Sequence, residues 1–120
     1  MHSWDDAIAV KNSQKDRPAG DPHTTERIAV RKSILSTRKS AVKVGTESLR
    51  SFTNITFEDI DVFDTDRGVV MYAEDGGAVS NVLWRNLRLM FFEYPAELPK
   101  CGRAFDIMLR ARDGESPLSN

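Results

Sequence analysis

Ile28-Ala29-Val30 returns as Ile55-Thr56-Phe57 and again as Val82-Leu83-Trp84, each time 27 residues on. Leu35, Val62 and Leu89 keep that spacing, as do Val42 with Val69 and Val44 with Met71. A fixed period of this size marks stacked repeats rather than one closed globule. Within the period the pattern is short and alternating. Residues 7–11, 27–31, 41–44, 54–57, 68–72, 81–84 and 104–108 read as strands of about five residues, rich in β-branched and aromatic side chains. Helical spacing is not sustained for more than a turn. An all-β solenoid is therefore expected, a parallel β-helix of about three to four coils stacked about 4.8 Å apart.

The period aligns the chain with itself. One strand family contains Ile8, Val42, Val69 and Phe105 in one column and Val10, Val44, Met71 and Ile107 in another. Both columns are apolar, so both are expected to point inward, and the intervening positions outward. The outward set then includes Ala7/Ala41/Gly68/Ala104, Ala9/Lys43/Val70/Asp106 and Lys11/Gly45/Tyr72/Met108. The Ala/Gly column reads as a shallow track on which an extended ligand can lie, or else as small residues in a crowded turn. Residues 13–26 and 93–102, rich in Pro, Gly and charge, read as loops inserted into a single domain spanning 1–120. They are expected to wall the track. Leu118-Ser119-Asn120 matches Val79-Ser80-Asn81, and Asp5-Asp6 stands at the first corner. The expectation is a piece of a longer β-helix whose open coil edges are able to self-associate.

Bulk properties narrow the classes. A formal net charge of -1 argues against a nucleic-acid binder. No apolar run is long enough to span a membrane, and the first residues lack the form of a signal peptide. The single cysteine, Cys101, excludes an internal disulfide and reads as an incidental loop thiol. His2 and His23 lack metal-ligand spacing, so no metal and no cofactor is expected. The run 87–92 reads as core with one exposed residue.

Asp5 and Asp6 carry the strongest chemical signal. Adjacent carboxylates repel, so one is expected to hold its proton more readily than it would alone. Glycoside hydrolysis needs one carboxylic acid to protonate the leaving oxygen and another group to activate water. Lys39 falls one rung from Asp5 and is expected either to keep it ionised or to bind substrate. Lys11 and Lys43 point outward, towards substrate hydroxyls or simply towards solvent. Arg67, near Asp64 and Asp66, reads as part of a structural ion-pair network.

The segment Asp5-Asp6-Ala7-Ile8-Ala9-Val10-Lys11 resembles the corresponding segment of bacterial polygalacturonases, in family 28 of the glycoside hydrolases. Asn54-Ile55-Thr56-Phe57-Glu58-Asp59-Ile60, Asp64-Thr65-Asp66-Arg67-Gly68 and Gly76-Gly77-Ala78-Val79-Ser80-Asn81-Val82 resemble that family in the same order. The likeness covers most of residues 4–90. It implies a right-handed parallel β-helix and inverting hydrolysis of an α-glycosidic bond in a polysaccharide or oligosaccharide. It also implies a secreted or periplasmic parent protein. By resemblance Asp5 is the general acid. Asp6 helps to activate water together with an aspartate from a preceding coil, so the 120-residue chain alone is expected to be inactive.

Two departures bear on substrate. Ser40 stands where the family has a histidine, and Val70-Met71-Tyr72 stands where it has basic residues that grip a uronate. A neutral sugar stacked on Tyr72, with Lys11, Lys39, Ser40 and Lys43 around it, is the expected replacement. Two other classes remain open: a carbohydrate-binding or structural β-helix without chemistry, and a calcium-dependent polysaccharide lyase using Arg67 or Arg103.

Overall fold

The 27-residue echo is a hydrogen-bonding register. The computed structural model describes residues 2–12, 24–91 and 102–109. The expected loops, apart from their last residues, lie outside that description, as do His23, Cys101 and Leu118-Ser119-Asn120. The described chain is all-β. Its strands are β1 (His2–Ser3), β2 (Ile8–Asn12), β3 (Thr25–Thr37), β4 (Ser40–Ser48), β5 (Phe52–Thr65), β6 (Arg67–Ala73), β7 (Val79–Phe91) and β8 (Arg103–Leu109). Odd strands form one sheet, β1-β3-β5-β7, and even strands a second, β2-β4-β6-β8. Every pairing is parallel.

Ile28 pairs with Ile55 and Ile55 with Val82, and Leu35, Val62 and Leu89 line up in the same way. In the even sheet Ile8, Val42, Val69 and Phe105 share one row and Val10, Val44, Met71 and Ile107 the next. The wider steps from Ile8 to Val42 and from Val69 to Phe105 absorb the two inserted segments.

Three of the odd strands are far longer than five residues. β3, β5 and β7 run for 13, 14 and 13 residues. Each shares two bends across which the pairing resumes, and β5 has a third left-handed residue, Asp64, where its register with β7 shifts by one. Arg27, Asn54 and Asn81 occupy one bend and Lys32, Asp59 and Asn86 the other, all at φ between 47° and 57°. One left-handed residue turns the chain and the parallel ladder resumes beyond it. Residues 32–37, 58–65 and 85–91 therefore continue the strands. Thr25 and Glu26, expected in a loop, already belong to β3.

The core lies between the sheets. Leu35, Phe52, Ile55, Phe57, Ile60 and Val62 from the odd sheet meet Val10, Val42, Val44 and Val69 from the even one. The Phe57 and Trp84 rings stack almost parallel, with centroids 6.2 Å apart, on successive rungs. Two inward expectations fail at the last rung: Phe105 is 64% exposed and Ile107 56%. Their rows are right, but among the described residues no strand lies beyond β8 to cover them. Run 87–92 also departs from expectation, since both Arg88 and Met90 are exposed.

The Ala/Gly column does not form an open track. Ala41 is fully buried and belongs to the core, with Ala7 packed against it. A Cβ placed on Gly68 would come within 2.5 Å of the Leu89 side chain and 2.9 Å of the Ala104 carbonyl oxygen. The column lies where the chain turns from the odd to the even sheet, so strict in-and-out alternation does not hold there. Small residues are required because this corner is crowded.

Candidate functional site

The outer face of the even sheet carries a chain of polar side chains running across its strands. It begins at the turn before β2. The Asp5 carboxylate accepts the Asp6 backbone N–H at 2.8 Å, and the Asp5 carbonyl accepts a hydrogen bond from the Thr37 hydroxyl. The Asp5 N–H donates to the Ser3 hydroxyl at 3.1 Å. Asp5 is thus fixed by its backbone, with its side chain exposed at the surface.

Asp6 turns the other way. Its Oδ1 accepts the Ser40 N–H at 3.1 Å and its Oδ2 accepts Lys43 Nζ at 2.9 Å. Both side chains of this ion pair are largely shielded, at 13% exposure for Lys43 and 17% for Asp6. Burial pushes the Asp6 carboxyl upward, but the Lys43 ammonium and the Ser40 backbone N–H outweigh it and hold it below the usual aspartate range. The expected mutual repulsion therefore does not govern Asp6. It has a cation of its own and stands as a carboxylate.

Lys43 also lies 5.5 Å from the centre of the Tyr72 ring, a cation–π arrangement. The Tyr72 hydroxyl donates to Asp106 at 2.6 Å and accepts from Arg67 at 3.3 Å. Burial, and then the bond to Asp106, raise the phenol pKa against an opposing pull from Arg67. Asp106 also accepts Arg103 at 3.1 Å. The Tyr72 bond, followed by Arg103, lowers the Asp106 pKa against the upward effect of desolvation. Arg67 Nε approaches Asp66 only to 3.8 Å, an ion-pair distance too long for a hydrogen bond.

The sequence-derived candidates separate on this geometry. Asp6, Lys43 and Tyr72 come together, with Asp5 beside them. Ser40 is fully buried and its hydroxyl has no hydrogen-bond partner, so its side chain does not reach a ligand on this face. Its contribution is the backbone N–H given to Asp6. Lys39 is exposed and forms no ion pair with Asp5; its N–H binds the Thr37 hydroxyl at 3.1 Å. Lys11 forms an exposed ion pair with Glu47 at 3.3 Å, past a register shift in β2. Tyr72 presents less open ring than expected, because Lys43 lies over it. Val70, in an outward column between Lys43 and Asp106, is fully buried.

Asp106 was absent from the expected site. The signal for it was its place in the Lys43 column, where it reaches the Tyr72 hydroxyl. Arg67 joins the same cluster by its bond to that hydroxyl. Among the described residues, no group of three His, Cys, Asp or Glu side chains is placed to hold a metal ion. No protein-family profile, curated protein or solved structure matches the chain.

Proposed function

We propose that the two parallel sheets are faces of a right-handed parallel β-helix, and that it belongs to a polysaccharide-hydrolysing protein of the polygalacturonase-like type. The solenoid reading is supported by the 27-residue register that links β3, β5 and β7 as far as the Leu35/Val62/Leu89 row and by the corner residues repeated at the same interval. The functional reading rests on one observation: exposed Asp5 adjoins Asp6, which Lys43 holds as a carboxylate at 2.9 Å. In inverting hydrolysis an acid and a base act on opposite sides of the scissile bond. Asp5 serves as the acid and Asp6 as the anionic partner that helps to orient water.

The charge balance favours a neutral sugar over a uronate. Lys43, Arg67 and Arg103 are each matched to a carboxylate, on Asp6, Asp66 and Asp106 respectively. Among the described residues of this cluster, those three cations are thus offset by anions and offer an acidic chain little net attraction. The test is turnover of neutral α-linked polysaccharides by the protein and its Asp5→Asn variant. Loss of turnover with the fold intact supports the assignment; unchanged turnover removes Asp5 as the acid.

A second reading, saccharide binding without cleavage, is favoured by the buried Ser40 side chain. It does not supply the support to Asp5 that the family's histidine implies. Binding that persists with no product released from any α-linked polysaccharide would select it.

A further inference from the structure

Trp4 is 75% exposed, the most exposed large apolar side chain among those described. It is nonetheless held in place. The His2 ring stands nearly perpendicular to the indole, with centroids 5.5 Å apart. His2 is itself tied to the odd sheet by a 3.1 Å hydrogen bond between Nδ1 and the Ser36 hydroxyl, and by the pairing of β1 with the end of β3. The next position along that row, Phe63, is also exposed.

An indole left largely in water has apolar surface still to bury. Fixing it beforehand lowers the ordering cost of binding. Its sequence neighbour is Asp5, in a turn where successive side chains need not alternate between faces. An aromatic ring and a carboxyl group on adjacent residues offer the two chemistries of a sugar ring, an apolar surface for its C–H face and a hydrogen-bonding group for its hydroxyl rim.

We propose that Trp4, braced by His2, is a stacking platform for a neutral pyranose ring of the saccharide that reaches Asp5. This rests on the saccharide-binding reading above and adds the residue that anchors one ring of the ligand. Trp84 does not share the role, because its ring is stacked on Phe57 and only partly accessible.

The experiment is calorimetric titration of the 120-residue chain with neutral α-linked oligosaccharides, alongside Trp4→Ala and Trp4→Phe. Thermal melting checks that each variant folds. The wild type is expected to bind, Trp4→Ala to lose at least tenfold in affinity, and Trp4→Phe to retain most of it. The wild-type indole emission is expected to shift on binding. Equal binding by Trp4→Ala and wild type overturns the platform and leaves the saccharide-binding reading intact. No binding by the wild type overturns both.

Discussion

Lys43 Nζ lies 2.9 Å from Asp6 Oδ2, so an ion pair shielded from solvent ties strand β4 to the turn that leads into β2. Because the folded pKa of Asp6 is lowered, the unfolded chain binds more protons wherever the two values differ. The pair's contribution is thus fully present above the ordinary aspartate range and is lost as pH falls through the lowered folded value. Acid unfolding followed by circular dichroism is expected to show a shallower loss of stability below about pH 4 in Asp6→Asn than in wild type. Lys43→Met, which strands the carboxylate, is expected to cost about 2 kcal/mol at neutral pH by urea unfolding.

Gly68→Ala distinguishes a crowded corner from an open track. The added methyl meets Leu89 at 2.5 Å and the Ala104 carbonyl at 2.9 Å. The leucine side chain is able to shift, but the backbone carbonyl is held by the β6–β8 ladder. A loss of about 1–3 kcal/mol is expected on chemical denaturation. An open outward track would make the substitution neutral.

The bends give a prediction of opposite sign at equivalent sites. Asn54 and Asn81 occupy the left-handed corner that Arg27 occupies one rung earlier. Asparagine tolerates that conformation better than a long or branched side chain. Arg27→Asn is expected to raise stability by roughly 0.5 kcal/mol, and Asn54→Val to lower it by about 1–2 kcal/mol. Paired melting curves measure both.

Charge ladders on the odd sheet are expected to matter little. Glu58 lies between Arg31, at 3.4 Å, and Arg85 on the neighbouring strands, and Asp61 pairs with Arg88. The arginines are more than half exposed. Glu58→Gln is expected to cost less than about 1 kcal/mol, with the difference shrinking in high salt. A large, salt-independent loss would show that the ladder is integral to the stack.

The register was legible because parallel stacking sets residue i beside residue i+27, so one kind of side chain recurs at one interval. Ile28/Ile55/Val82 and Val42/Val69 show this directly. Strand length was not legible. The polar corner residues Asn54 and Asp59 resemble strand ends, yet a single left-handed residue bends the chain without ending the ladder. The facing of the Ala/Gly column was hidden for a related reason, since alternation fails at the corner where Gly68 meets Leu89. At the site, the column alignment brought Lys43 and Tyr72 to one face. Ser40 differs because its outward parity is overridden by complete burial, and Phe105 because an inward position is covered only when another rung lies over it.

The most direct test of the account is amide chemical-shift mapping of the isotopically labelled chain during titration with neutral α-linked oligosaccharides. The shifts are expected to concentrate at Asp5, Asp6, Lys43 and Tyr72 and to weaken when the neutral sugar is replaced by an oligogalacturonate. Saturating shifts confined to the odd sheet, or none with any saccharide, would contradict the assignment of this face as the saccharide site.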